Sequence, residues 1–200
     1  MAEYVNPESF ELRRSIYSLG NSQVVSDSYL IDTVKACLKN CPTAFNSQTA
    51  RLAILFAEYH HDFWKLVWNN LKVITPDDKI ESARKRIASF DKAYGTILFF
   101  EDIEELEKLK NTYPMFANNM HDWTMQSNGM LQYMIWQTLA ENDEGMSLQH
   151  YNELIEGKFN RWLKLPDEWK IIAQMPWGSI EKEADEKTFL PLEPRVKIFN

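Results

Sequence analysis

The chain has 200 residues, 44% of them hydrophobic and 13% aromatic, and a formal net charge of −7. That composition fits one packed domain and excludes an intrinsically disordered chain. The acidic surplus argues against a general nucleic-acid binder, which needs clustered cations to displace counterions. No apolar run approaches the roughly 20 residues that span a bilayer, so no membrane partner is expected. Met1–Pro7 carries neither a basic patch followed by an apolar stretch nor an Arg-rich pattern, so a cytoplasmic location is expected. Cys37 and Cys41 share a helix face and fit structural roles in a reducing compartment. A zinc site would need further ligands that the histidines do not provide at suitable spacing, so no metal is expected.

Asn6-Pro7-Glu8 predicts a helix start, with an N-cap, a proline at the first helical position and an acid in the first turn, and an end near Arg14. Ser26-Asp27-Ser28 opens a second helix. Along it Tyr29, Leu30, Val34, Cys37, Leu38 and Cys41 recur at three- and four-residue intervals until Pro42. The apolar run from Arg51 to Phe56 reads as a buried strand. An amphipathic helix follows over 59–74, and Thr75-Pro76-Asp77 caps another that runs to about Phe90. Gly95 precedes a strand at Thr96–Phe100, and a helix over 102–111 leads to an irregular stretch at Tyr113-Pro114.

Asp122 to Asn142 is apolar on most sides and predicts a helix at the centre of the domain. Gly145 is expected as its left-handed cap. A strand at 146–149, a helix over 152–163 stopped by Pro166, and a strand at Trp169–Met175 complete the pattern. Arg195–Phe199 alternates polar and apolar residues and predicts an edge strand. The sum is a helix-rich α+β domain over 1–200 with a sheet of four or five strands.

Four polar segments carry the candidate chemistry. Arg13-Arg14-Ser15 offers two guanidiniums and a hydroxyl, a donor set suited to phosphate or to a solvated surface pair. Pro42 to Gln48 is an uncharged polar stretch between a helix and a buried strand. Its Asn46 and Gln48 supply the donors and acceptors that a heteroaromatic ring edge requires, although Pro, Asn and Ser also suit a plain turn. Ser147 to Tyr151 ends a strand, where a backbone amide could face such a ring; His150 reads equally as a general base or as a packing residue. Arg195-Val196-Lys197 adds cations. His60-His61 and His121 have no acidic or cysteine partner at ligand spacing. No G-x-G-x-x-G, P-loop or G-x-S-x-G occurs, so any nicotinamide donor would bind transiently.

These segments resemble the nitroreductase family of FMN enzymes, closest to its small NADH-using branch, which holds the yeast fatty-acid-repression-mutant type and the bacterial copper-induced type. The resemblance covers nearly the whole chain. It is carried by Arg13 to Gly20, Pro42 to Gln48, Tyr94 to Asp102, Ser147 to Tyr151 and Gln174 to Ser179. It implies a sheet wrapped by helices in a homodimer, with residues 180–200 as an arm crossing to the partner. It implies FMN at the dimer interface, with Arg13, Arg14, Ser15 and Tyr17 at phosphate and ring edge, and with Arg195 and Lys197 adding phosphate contacts. Pro42, Thr43, Ala44, Asn46, Ser47 and Gln48 would reach the same flavin from the other subunit, and Gln149, His150 and Tyr151 would line the ring. Two departures stand out: Asp143-Glu144-Gly145 is more acidic than the Gly-rich turn of the family, and Cys41 stands where a small residue such as Ser is usual.

The activity implied is an FMN-dependent oxidoreductase. It would carry electrons from NADH or NADPH to nitroaromatic, quinone or similar acceptors in a ping-pong cycle, with no side-chain acid or base required. The alternative is an FMN-binding regulatory or sensing protein with little turnover, in which Tyr113, Phe116, Trp123 and Met125 close the open face of the ring.

Overall fold

A computed structural model describes residues 7–155 and 157–199, with side chains from residue 9 onward. The elements follow as α1 (Pro7–Leu12), β1 (Ser18–Leu19), α2 (Asp27–Asn40), β2 (Ala50–Phe56), α3 (Ala57–Ile74), α4 (Asp77–Asp91), β3 (Gly95–Asp102), α5 (Ile103–Thr112), α6 (Ala117–Ala140), β4 (Gly145–Met146), α7 (Asn152–Ile155), α8 (Lys158–Leu163), β5 (Trp169–Gly178) and β6 (Ile180–Lys182). Short 3-10 turns lie at Ala44–Asn46 and Pro114–Phe116.

The fold is α+β. A four-stranded antiparallel sheet has the order β2-β3-β5-β4, and β1 pairs with β6 in a separate two-stranded ribbon. Every residue of β3 is buried, because helices cover both faces of the sheet. Side chains alternate across a strand, so Ile97 and Phe99 pack with Leu131, Ile135 and Leu139 of α6 on one face. Leu98 and Phe100 pack with Phe63, Trp64 and Phe90 on the other.

Several expectations need correction. The Asn6 cap lies outside the described residues. The helix expected from Asp122 begins at Ala117 and ends at Ala140. Its first turns bury Met120, Thr124, Ser127 and Asn128, a partly polar face that hydrophobic periodicity does not reveal. Gly145 is not a left-handed cap; that conformation belongs to Asp143, with φ 62°. Gly145 instead pairs with Gly178, and a Cβ there would lie 2.8 Å from Leu19 Cδ2 and 3.0 Å from the Gly178 carbonyl oxygen. Close backbone approach is what requires a glycine.

The strand expected at 146–149 shortens to Gly145–Met146, with Gln149 rejoining the sheet as an isolated bridge to Gln174. The helix expected over 152–163 is two helices, with Gly157 in the left-handed region at φ 70°. Arg195–Phe199 forms no strand in the described chain, and Phe189, Leu190, Leu192, Val196, Ile198 and Phe199 are exposed. An alternating segment becomes a strand only where it meets an edge to pair with.

Two buried titratable groups oppose each other. The Asp91 carbonyl can only accept, so His60 Nε2–H donates to it at 3.0 Å. His60 Nδ1 then accepts from Thr96 Oγ1 at 2.9 Å, and that oxygen accepts from Trp64 Nε1–H at 2.9 Å. Burial lowers the His60 pKa to about 4, the bond to the Asp91 backbone opposing it. Glu144 is also buried: one carboxyl oxygen accepts from the Val25 N–H at 3.2 Å, and the other has no partner among the described residues. Burial raises its pKa to about 7 against the pull of the Val25 bond.

Between about pH 4.5 and 6.5 the unfolded chain keeps the histidine proton and loses the carboxyl proton, while the folded chain does the reverse. His60 makes stability rise with pH across that window, Glu144 makes it fall, and the two slopes offset. Glu144→Gln keeps an acceptor for Val25 and removes the ionisable group. Its urea midpoint is expected to rise from pH 5 to 6.5 and then to stay level. At pH 8 the variant should exceed the parent by up to about 3 kcal/mol; equal midpoints at pH 8 would contradict the assignment.

Candidate functional site

Main-chain pairing brings two of the four segments together. Ser15 bridges to Met146, and the Ile16 N–H donates to the Met146 carbonyl at 2.8 Å. Arg13-Arg14-Ser15 therefore lies beside β4, at the edge of the sheet. Arg13, Arg14, Ser15 and Tyr17 line a cavity of about 640 Å³, together with Lys92, Lys182 and Lys187 and the acidic Glu183, Asp185 and Glu186. Lys92 pairs with Glu181 and Lys182 with Asp185, whereas the two guanidiniums have no carboxylate partner among the described residues. The Arg13 guanidinium sits 4.5 Å above the Trp136 ring, and Arg14 Nη2 donates to the Asp185 carbonyl. Both contacts orient cations that a surface pair would leave loose.

The segment after β4 meets β5 through reciprocal bonds between Gln149 and Gln174, at 2.7 and 2.9 Å. Gln149 Nε2 donates to Ser147 Oγ at 3.1 Å. Alternation along a strand turns the intervening amides of Leu148 and His150 away from β5, and neither N–H is bonded among the described residues. The Gln149 amide itself is not free. His150 is exposed. The Tyr151 ring packs against Trp64 and Phe90 in the core, with its N–H held by Gln174 Oε1 at 2.7 Å. Burial raises the Tyr151 pKa, and the nearby Arg86 charge opposes it. Arg86 also lies 5.9 Å from the Tyr17 ring, so it stands between the two segments.

Sequence reading missed α4's contribution. Arg86 sits near Tyr17 and Tyr151, while Ser89 and Lys92 line the 640 Å³ cavity. Their three-residue spacing puts them along one side of a helix, a signal that was available.

Pro42 to Gln48 lies elsewhere in the same chain. Phe45, Asn46 and Gln48 all have left-handed backbone, with φ of 54°, 52° and 50°. Each such residue costs on the order of 1 kcal/mol, so the loop needs external support. Thr43 Oγ1 accepts from the Gln48 N–H at 3.2 Å. Arg51 Nη1 donates to the Gln48 carbonyl at 2.7 Å, while its Nη2 pairs with Asp102 at 3.0 Å. Asp102 in turn caps α5 by accepting from the Glu105 N–H at 3.1 Å. Phe45 stacks on Tyr113 at 4.4 Å, with Phe116 at 5.7 Å and Trp123 at 6.0 Å. Pro42 is exposed, Ala44 is half-buried, and Ser47 Oγ is buried with no partner among the described residues.

Thr43 and Gln48 line a second cavity, of about 390 Å³, that shares no residue with the first. Arg195 and Lys197 are exposed and line neither.

His61 does have an acidic partner, contrary to the sequence expectation: its Nδ1 lies 3.0 Å from Asp91 Oδ1, because the end of α4 packs against α3. The ligand atoms of His60, His61 and Asp91 lie within 4.8 Å of one another. Both His60 nitrogens are already bonded, so the cluster reads as packing. Burial raises the Cys37 and Cys41 thiols, which keeps both in the unreactive form.

The profile of the nitroreductase family matches residues 11–179. The chain belongs to the nitroreductase family. The Saccharomyces cerevisiae protein HBN1 is 32% identical over 191 residues, covering 94% of this chain and 93% of that relative. The nitroreductase CinD from Lactococcus lactis, solved in complexes with chloramphenicol, nicotinic acid and 4-nitrophenol, is 36% identical with a TM-score of 0.88, covering 97% of this chain and 99% of that one. A Desulfovibrio desulfuricans nitroreductase-like structure in complex with FMN has a TM-score of 0.72 at 15% identity, covering 100% of both chains, a likeness of fold. Membership of this family makes the chain an oxidoreductase. No helix among the described residues is long and apolar enough to cross a membrane.

Replacing Arg51 with Met removes the charge-assisted bond to Gln48 and leaves the buried Asp102 without its ion pair. The expected loss is about 2 kcal/mol by urea denaturation, with a similar loss for Asp102→Asn and little further loss in the double variant. Additive losses would show that the two residues do not act as one clamp.

Proposed function

We propose that this nitroreductase is an FMN-dependent oxidoreductase that carries electrons from NADH or NADPH to nitroaromatic, quinone or similar acceptors in a ping-pong cycle. The observation that carries the reading is the cavity at the sheet edge, where two oriented guanidiniums lie beside a strand end with amides unbonded among the described residues. Its volume suits a cofactor, and its cations suit a phosphate. The buried Ser47 Oγ, without a partner among the described residues, adds a second polar group that a ring edge would satisfy.

Arg13 and Arg14 hold the phosphate, and Ser15 meets the ring edge. Tyr17 walls the cavity with Arg86 behind its ring, and the Leu148 and His150 amides face the flavin ring. Pro42 to Gln48, in its own chain set against a different cavity, serves the flavin of a second subunit. The apolar arm from Phe189 to Phe199 crosses to that subunit and delivers Arg195 and Lys197. When bound, FMN supplies the two-electron redox chemistry, and the protein supplies binding, orientation and a fixed positive field. The nitroaromatics held by CinD, 4-nitrophenol and chloramphenicol, support the acceptor class.

The purified protein is expected to show a flavin spectrum that bleaches with NADH under anaerobic conditions and recovers with a quinone or a nitroaromatic. Arg13→Ala with Arg14→Ala should lower FMN affinity roughly 100-fold, because two charge-assisted contacts are lost. A flavin that no nicotinamide bleaches would favour a sensing role, and a protein that takes up no FMN would contradict the proposal.

A further inference from the structure

The cavity of about 390 Å³ beside Pro42–Gln48 gathers cations without acidic neighbours in its lining. The chain carries a net charge of −7, yet this cavity is lined by Lys35, Lys39 and Arg51 and by no carboxylate. Several lysines elsewhere on helices are paired within a turn, Lys85 with Glu81, Lys108 with Glu104 and Lys110 with Glu107. Others, such as Lys65 and Lys79, stand alone among the described residues but do not share a cavity with a second lysine. Lys35 and Lys39 have no ion pair or hydrogen bond among the described residues. They stand four apart on α2, where like charges repel by a few tenths of a kcal/mol. Lys39 lies in the last turn and complements the carbonyl end of the helix; Lys35, a turn earlier, does not.

The floor between these cations is apolar, made by Leu38 and the buried Leu131. Thr43 and Gln48 form the wall shared with the loop. Arg51 is paired with Asp102, but two unpaired lysines over an apolar floor suit a ligand with an anionic group on a flat, apolar body.

We propose that this groove is an anion-recognition site for the redox partners of the flavin, taking the phosphates of a dihydronicotinamide nucleotide or the carboxylate of an aromatic acceptor. The inference rests on the flavin reading above, because the groove adjoins the loop assigned to that flavin. Binding there would hold the charged end of a partner while its ring reaches the flavin. It would also make turnover sensitive to salt, since the attraction is between solvent-exposed charges.

The test is Lys35→Ala with Lys39→Ala, beside Lys35→Arg with Lys39→Arg as the charge-preserving control. Both lysines are exposed, so the variants fold. Inorganic pyrophosphate is the direct probe: by calorimetry it binds the parent and the Arg variant and is lost from the Ala variant. In steady state, a KM for NADH or NADPH that rises about tenfold, with 1-benzyl-1,4-dihydronicotinamide changed less than twofold, identifies the nucleotide phosphates. A KM for 4-nitrobenzoate that rises while that for nitrobenzene does not identifies an acceptor carboxylate. Retained pyrophosphate binding, or KM values unchanged for all four compounds in a variant that still holds flavin, would overturn the proposal. Loss of flavin from the parent would instead overturn the reading beneath it.

Discussion

The bond from the Ile16 N–H to the Met146 carbonyl joins parts of the chain that lie 130 residues apart in sequence, at the edge of the sheet. Without it Arg13 and Arg14 would be a solvated pair after a short helix. With it they lie beside β4, whose last residue, Met146, directly precedes the segment Ser147 to Tyr151. The edge is held from the other side by the reciprocal Gln149 and Gln174 bonds, which consume two amides and turn the Leu148 and His150 amides outward. The site therefore inherits the rigidity of β3 and β5, whose central residues are fully buried.

A second constraint acts on the loop before β2. Three left-handed residues in a stretch of four would not persist unaided. Arg51 and Asp102 fix the loop at Gln48, and the aromatic group of Tyr113 and Phe116 fixes it at Phe45. Asp102 caps the N-terminus of α5, and Tyr113 follows its C-terminus, so one helix braces the loop at both points. The loop and the cationic cavity at the sheet edge line separate spaces in one chain. On the proposed reading a second subunit brings them together, which also gives the exposed arm from Phe189 to Phe199 something to cover.

Much of this was legible in the sequence for local reasons. The apolar run in β3, the periodicity of α2 and the proline-marked start of α4 are each set by neighbours within a few residues. The Arg13-Arg14-Ser15 segment carries its chemistry in its own side chains. What was hidden depends on distant partners. Gly145 looks like a helix cap until Gly178 is seen against it. Arg51 looks like the polar start of a strand until Asp102 arrives beside it, and Arg86 looks like a solvated helix residue until Tyr17 and Tyr151 flank it. β1 and β6 are too short to show alternation, and the Arg195–Phe199 pattern finds no edge within its own chain.

The central claim, that one flavin is held by cations of one chain and the loop of another, is tested most directly with a hybrid dimer. One chain would carry Arg13→Ala with Arg14→Ala, and the other Asn46→Ala with Gln48→Ala. If each site draws on both subunits, neither variant alone retains flavin, and the purified hybrid recovers half of the flavin bound by the native dimer. A hybrid as empty as its parents would show that both segments serve within a single chain, and would contradict the account.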